Sequence, residues 1–342
     1  MNVFDLTRAL VDIESITLNE ERLGEFLHAY LAPLASRFGG TLERMPVEPR
    51  RFNLFAQWAE PGEPLAVTLS THLDTVPPWF ASREDEEFIW GRGACDAKGI
   101  VAAMIEAVKE LLEAGRRGFG LLFVVGEERN SAGAKRAAET PRGSRYLING
   151  EPTENRLALG SKGALRYEVL ATGRMAHSAY PELGDSAIHK LIDALAAMRA
   201  IPLPSDLLLG PSTLNIGTIS GGRAPNVMAD EARAEILIRL VGDSAATKEA
   251  LDRAAEGRAE LREVLEIPAL RLNGIEGLES TTVAFTTDIP MFEGQWGEPF
   301  LVGPGSIHVA HTLEERVPKS QLLEAVHIYR GMVEELCRRA SK

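Results

Sequence analysis

Leu65 to Leu69 is a run of strand-favouring residues that leads through Ser70-Thr71 into His72-Leu73-Asp74-Thr75-Val76 and stops at Pro77-Pro78. Such a run reads as a buried strand that ends at a loop. His72 and Asp74 are two apart, which places both side chains on one face of an extended backbone. That spacing suits a metal-ligating imidazole polarised by a neighbouring carboxylate. The plain alternative is a polar strand end with a satisfied histidine.

The same pattern recurs along the chain. Phe119 to Val125 is almost wholly apolar, as expected of a strand buried on both faces, and it ends in Gly126-Glu127-Glu128-Arg129. Two adjacent carboxylates at such an end are costly unless something cationic receives them, the alternative being a solvated turn. Arg145 to Asn149 is a shorter strand that ends in Gly150-Glu151-Pro152-Thr153. Gly91 and Gly93 allow a tight turn ahead of a helix from about Ile100 to Ala114, so Asp96 falls at or just before a helix N-terminus, where an ordinary N-cap is equally compatible. Two amphipathic helices, residues 3–14 and 20–37, precede all of this and read as packing elements, with Gly39-Gly40 stopping the second.

A length of 342 residues exceeds a usual single core and implies two domains. Near residue 160 the texture changes. Strand (165–172), helix (184–199), strand (212–219), strand (226–240), helix (244–257) and strand (262–271) make a βαββαβ unit that two-layer packing would satisfy. Turn-rich text follows from Thr281 to Glu298, then Gly303-Pro304-Gly305-Ser306-Ile307-His308-Val309-Ala310-His311 and a closing helix over 319–339. Acid and histidine clusters therefore lie before and after the middle unit and scarcely inside it. An insertion accounts for this, with segments 1–160 and 276–342 forming one domain around an inserted 161–275.

Composition narrows the partners. The formal charge is −12 and spread along the chain, which disfavours nucleic acid and anionic membrane surfaces. No apolar run approaches the ~18 residues a membrane span needs. The N-terminus lacks a basic region followed by an apolar core, so no signal peptide is expected. Two cysteines, Cys95 and Cys337, form no disulfide framework and fit a reducing, cytoplasmic setting.

Collected, the strand-end and turn candidates are His72, Asp96, Glu127, Glu128, Glu151 and either His308 or His311. Two imidazoles and three carboxylates suit a hydrolytic two-metal site, in which one carboxylate bridges the ions and a further one stays free as general base. In order and spacing, His72-Leu73-Asp74-Thr75-Val76-Pro77, Gly91 to Gly99, Gly126-Glu127-Glu128, Gly150-Glu151-Pro152-Thr153, Ala176-His177-Ser178, Gly221 to Val227 and Ala310-His311-Thr312 resemble a zinc metallopeptidase family. That family includes acetylornithine deacetylase, succinyl-diaminopimelate desuccinylase, aminoacylase and glutamate carboxypeptidase. The similarity spans residues from about 65 to 315.

The resemblance implies an α/β fold: a mixed-sheet, three-layer catalytic domain with an inserted two-layer α+β lid and dimerisation domain. It makes Asp96 the bridging ligand, with His72 and Glu151 on one metal and Glu128 and His311 on the other. Glu127 would be the general base, and Asp74 the partner that orients His72. A cis peptide would follow the bridging residue, at Asp96-Ala97. His177 would reach a partner subunit's active site as oxyanion donor. Asn226 and Arg239 would hold the substrate carboxylate, although Arg239 shares a strand face with Glu235 and could equally be solvated. Backbone N–H groups around Gly303 and Gly305 are further candidates for substrate binding.

The expected cofactors are two divalent ions, zinc first, with cobalt or manganese tolerated by the same ligands. The expected substrate is an N-acyl amino acid, in the manner of acetylornithine deacetylase. Desuccinylase and dipeptidase or carboxypeptidase activities are the alternatives within the class, and a catalytically silent binding protein is the alternative outside it. A two-metal phosphoesterase would need cations around the site, and apart from Lys98 and Arg129 the clusters offer few. Two departures from the family pattern, Gly126 in place of an acid and Asn130-Ser131 before Ala132-Gly133, bear on the substrate rather than on catalysis.

Overall fold

Phe119–Val124 lies inside a six-stranded sheet because both of its faces are covered. A computed structural model of the protein describes residues 1–59 and 62–341. Across the sheet the strands run Thr41–Glu48, Arg51–Trp58, Phe119–Val124, Val67–His72, Tyr146–Asn149 and Glu298–Leu301. Pairing is antiparallel at the Thr41–Glu48 edge and parallel from Phe119–Val124 onward.

Side-chain alternation divides the apolar residues between two cores. Leu54, Val67, Leu69, Leu121, Phe123 and Ile148 join the helices Val3–Val11, Glu21–Arg37, Lys98–Glu113 and Lys319–Ala340 on one face. Phe55, Leu122, Val124 and Leu147 face the helix Ala132–Glu139 with Phe292 and Trp296 on the other. There the Trp296 indole N–H donates to the Ala137 carbonyl at 2.8 Å. The result is a three-layer α/β arrangement. Val67–His72 is flanked on either side by parallel strands that come later in the chain, so the connections leaving their C-terminal ends part in opposite directions. Open α/β sheets place their sites in the crevice this creates.

Met1–Leu159, Leu272–Thr281 and Thr287–Lys342 form that unit; Gly160–Arg271 with Thr282–Thr286 form a second. The second has a four-stranded antiparallel sheet in the order Thr213–Gly221, Glu231–Leu240, Gly163–Thr172, Glu260–Ile267. Its helices Ala187–Arg199 and Ala245–Ala255 share one apolar core with the sheet.

Several boundaries differ from those the sequence suggests, each for a local reason. The first helix stops at Val11, and the segment beyond it is recruited elsewhere, with the Lys98 ammonium donating to the Ile13 carbonyl at 2.7 Å. The helix expected from residue 184 starts at Ala187, where the Ser186 hydroxyl accepts the His189 N–H. The strand expected from 226 starts at Glu231, because Pro225 and Asn226 lie in a turn. The helix Glu21–Arg37 ends as expected, with Gly39 at φ +67° and the Gly40 N–H reaching back to the Ala35 carbonyl at 2.8 Å.

Two glycines test this packing in opposite directions. A Cβ on Gly150 would lie 2.4 Å from Ile100 Cγ2 and 2.6 Å from Met104 Cε, whereas a Cβ on Gly331, exposed inside the last helix, meets nothing within 4 Å. Gly150→Ala is expected to destabilise the fold by about 1–3 kcal/mol through overpacking. Gly331→Ala is expected to stabilise it by about 0.5–1 kcal/mol through helix propensity. Urea midpoints of the two variants against wild type check both signs.

Candidate metal centre

Three parallel strands deliver four of the candidate side chains. His72 is the last residue of its strand and is 1% exposed. Glu127 and Glu128 follow Phe119–Val124 across Gly126, whose φ of +83° suits a glycine. Glu151 follows Tyr146–Asn149 and is buried ahead of Pro152. Asp96 comes from the turn before the helix Lys98–Glu113, where Gly91 and Gly93 have φ of +144° and +90° and the Asp96-Ala97 peptide is cis. His311 arrives last, on the loop after Glu298–Leu301, with φ +62° and its side chain half exposed.

These side chains converge on Asp96. Its Oδ1 lies 3.0 Å from His72 Nε2, and its Oδ2 lies 3.2 Å from His311 Nε2. His311 Nε2 is also 3.0 Å from Glu128 Oε2. Two donor sets result, His72/Asp96/Glu151 and Asp96/Glu128/His311, each with its ligand atoms within 4.8 Å of one another and with Asp96 common to both. His308 belongs to neither.

The electrostatics are those of a site short of positive charge. Burial, then the charge of Glu151, pushes the Glu127 carboxyl well up. Glu151 is pushed well up by burial, with Asp96 adding to it and His72 opposing. Glu128 is raised by burial and by Asp96. Burial also works against the Asp96 carboxylate, but the hydrogen bonds of His311 and His72 hold it below its usual range. The bonds to Asp96 and Glu128 carry His311 up to about 10. Among the described residues no lysine or arginine pairs with Glu127, Glu128 or Glu151, and the buried Glu151 Oε1 has no hydrogen-bond partner. Carboxylates and imidazoles left in this state fit divalent cations, which would satisfy the orphaned oxygen and relieve the buried like charge.

One assignment is broader than expected and another differs. Asp74 lies beyond the strand end, so His72 Nδ1 is 3.0 Å from its backbone carbonyl and 3.7 Å from its carboxylate. The carboxylate stays beside the His72 ring and also accepts the Gly126, Glu127 and Glu128 N–H groups at 2.9, 3.0 and 3.2 Å. Gly303 and Gly305 do not offer free N–H donors. Theirs go to Thr153 Oγ1 at 3.1 Å and Gln321 Oε1 at 2.8 Å, and a Cβ at either position would strike Glu151 or Cys95. These glycines serve close packing rather than substrate binding.

His177, Asn226 and Arg239 belong to the second unit. His177 pairs with Val227 in an isolated bridge, and the Ser178 N–H donates to the Asn226 carbonyl at 3.0 Å, so the His177 loop and the Asn226 turn are exposed neighbours. Arg239 lies opposite Thr213 and Ala164, half-buried, its pKa lowered by burial and no charged group opposing this.

Sequence reasoning missed two buried carboxylates. Glu315 accepts from Arg92 Nη1 at 2.5 Å and from the Gly93 N–H at 2.9 Å, and burial followed by the Asp96 charge raises it to about 7. Its signal was the acid pair Glu314-Glu315 just after His311. Asp288 has no well-formed hydrogen bond at either oxygen and is raised to about 7 by burial, with Ser131 and His72 opposing. It sits in turn-rich text with no strand-end pattern to mark it.

Comparison with known proteins places this geometry in context. A model of peptidase family M20/M25/M40 matches residues 68–335. A peptidase M20 domain-containing protein of Schizosaccharomyces pombe is 39% identical over 339 residues, covering 97% of this chain and 84% of that protein. A protein of Aspergillus niger named "Probable carboxypeptidase" is 36% identical over 378 residues, covering 98% and 90%. The solved structure of a Bacillus subtilis dinuclear metal binding peptidase superposes with a TM-score of 0.73 at 15% identity, covering 98% of this chain and 97% of that one, a likeness of fold.

The pKa directions set a sign for stability against pH in the cation-free chain. Folded Glu127, Glu128 and Glu151 keep protons above the ordinary glutamate value of 4.5, and folded His311 keeps its proton to about 10 rather than 6.5. The folded state then binds more protons than the unfolded one, so stability falls as pH rises through that window. Asp96 has the opposite sign, contributing stability above 3.8 that is lost at lower pH. Thermal unfolding in chelator should show a melting temperature that drops between about pH 5.5 and 8. Saturating Zn2+ should flatten that slope, because cations replace the protons. Identical slopes with and without the cation would contradict the assignment.

Proposed function

Since the chain belongs to peptidase family M20/M25/M40 and is therefore a metallopeptidase-type hydrolase of amide bonds, we propose that it cleaves the amide bond preceding a residue with a free α-carboxylate. A peptide C-terminus, a dipeptide and an N-acyl amino acid all present that bond. The two donor sets sharing Asp96, with Glu127 beside them and on neither, carry this reading.

His72, Asp96 and Glu151 would hold one divalent cation, and Asp96, Glu128 and His311 the other, zinc being the first candidate for this mixed set. Cations there supply Lewis-acid polarisation of the carbonyl and acidify water. The remaining steps fall to the chain's own residues. Glu127, its carboxyl raised by burial, takes the proton from the attacking water and returns it to the leaving amine nitrogen. The partner subunit's His177 donates to the oxyanion. Arg239, half-buried and without an acidic partner among the described residues, receives the α-carboxylate, and Asn226, in the turn at the other end of that strand of the inserted unit, is the second candidate for it.

The inserted unit is thus assigned as lid and dimerisation domain. The exposed strand Thr213–Gly221 at the edge of its sheet supports a homodimer formed through that edge. No helix of the described chain is long and apolar enough to cross a membrane, and Cys95 and Cys337 are unpaired, which supports a cytoplasmic enzyme.

The name of the Aspergillus niger relative, a probable carboxypeptidase, supports peptides as the first substrate reading for this chain. Acyl amino acids follow as the second reading, because an α-carboxylate anchor of this kind does not distinguish the acyl side. A panel of C-terminally free peptides, N-acetyl amino acids and C-terminally amidated controls separates them. The amidated controls should resist cleavage.

Glu127→Gln is expected to lower kcat by about 10²–10⁴ while leaving the number of bound cations unchanged. Joint loss of metal and activity would make Glu127 a ligand instead. Arg239→Ala should raise KM for free carboxylate substrates while largely sparing kcat, as steady-state kinetics would show.

A further inference from the structure

The loop that carries His311 is fastened at both ends to segments that carry other ligands. At its start the Thr153 N–H donates to the Gly303 carbonyl at 3.1 Å and the Glu154 N–H to the Gly305 carbonyl at 2.8 Å, while the Ser306 hydroxyl donates to Glu154 Oε1 at 2.7 Å. Those partners follow directly on Glu151. At its end the Gly91 N–H donates to the Glu315 carbonyl at 3.1 Å, extending the antiparallel pairing of Arg316–Pro318 with Phe88–Trp90. Past that point backbone pairing stops, because the chain turns at Gly91 and Gly93 toward Asp96.

The Glu315 side chain reaches where the backbone does not. Its Oε1 accepts the Gly93 N–H at 2.9 Å and the Asp96 N–H at 3.3 Å, and Cys95 Sγ lies 3.8 Å from the same atom. Its Oε2 accepts from Arg92 Nη1 at 2.5 Å. The turn from Arg92 to Asp96 is thus wrapped round one inaccessible carboxylate that belongs to the opposite loop. Arg92 is itself held, its Nε donating to the Pro78 carbonyl at 3.1 Å and its guanidinium lying 5.2 Å from the centre of the Phe80 ring.

Backbone N–H groups that converge on an anion fix the dihedrals of the residues carrying them. Here those residues present the ligand common to both donor sets. We infer that Glu315 is a positioning residue for the cation site of Asp96, Glu128 and His311, ordering the turn of Asp96 from the loop of His311. The inference rests on the two-cation reading above and deepens it. The His72/Asp96/Glu151 set depends on Glu315 less, since His72 and Glu151 are buried at adjacent strand ends and His72 Nε2 lies 3.0 Å from Asp96 Oδ1.

A buried ion pair could also be only a structural tie, and two double variants separate the roles. Arg92→Met with Glu315→Leu removes both charges and keeps apolar bulk, an exchange that is often neutral or stabilising. It leaves the Gly93 and Asp96 N–H groups without their acceptor. Arg92→Met with Glu315→Gln removes the same charges but keeps an oxygen for them. The experiment is calorimetric titration of Zn2+ into the metal-stripped full chain, with His72→Ala and His311→Ala identifying which binding event belongs to which donor set. The Glu315→Leu double is expected to weaken the event lost in His311→Ala by about 10–100-fold, the usual range for groups behind a ligand. The event lost in His72→Ala should move far less, and the Glu315→Gln double should bind both cations close to wild type. Equal affinities in the two doubles, or a loss shared equally by both events, overturns the inference. Thermal unfolding in chelator shows whether each double is folded. Should the Glu315→Leu double not fold, Glu315→Asp decides the matter, because it keeps the charge and shortens its reach and must show the same selective loss. Wild type binding fewer than two cations would sink the functional reading beneath, a result read before any variant is compared.

Discussion

Concentrated negative charge in a largely buried place is the constraint on which this structure turns. Asp96, Glu127, Glu128 and Glu151 are gathered at strand ends and turns, and among the described residues the basic groups directly beside them are two imidazoles. Such a cluster in a low-dielectric interior is tolerable when protons or cations occupy it. A folded chain with such a cluster would trade protons for cations, so that affinity for cations and pH-dependent stability without them would have the same origin.

The fold meets this constraint by drawing ligands from distant segments and then tying the segments together. Parallel strands supply His72, the Glu127–Glu128 turn and Glu151 from a common edge, which rigid packing on both faces holds in register. Asp96 and His311 come from loops that the sheet does not position. A buried ion pair takes over there. Arg92 and Glu315, both essentially inaccessible, join the Asp96 turn to the His311 loop, and Glu315 also receives the Gly93 N–H. Removing either partner would leave an uncompensated buried charge, so the pair behaves as a latch rather than as a net source of stability.

How far this could be read from sequence depended on what each signal reports. Phe119 to Val124 was legible because burial on both faces leaves an unbroken apolar run. The βαββαβ texture was legible too, although its edges shifted where a local cap or proline took control, as at Ser186 and Pro225. Asp74 was legible as a neighbour of His72, but its contacts with the Gly126–Glu128 turn were not, because residue spacing reports only on one strand. Gly303 and Gly305 looked like donors, whereas the reason for glycine there is the close approach of the Glu151 carbonyl and of Cys95. Thr17 and Asp288 carry no spacing signal at all. The partner of Thr17, the Asp74 carboxylate, is more than fifty residues away, and Asp288 has no well-formed hydrogen bond at either oxygen among the described residues, so only the folded chain reveals them.

The two halves of the centre are consequently built on different principles. His72 and Glu151 are interior residues at the ends of adjacent strands, where packing holds them, and both His72 ring nitrogens have polar partners at 3.0 Å. His311 is half exposed on a loop in left-handed backbone, and Glu128 lies in a turn just past its strand. For these, hydrogen bonds must supply the order that burial does not. Asp74 gathers the N–H groups of one turn, and Glu315 anchors the loop that carries the other ligand. Both devices use a buried carboxylate that touches no reacting atom. The less enclosed half of the site is therefore the half whose precision depends most on residues outside it.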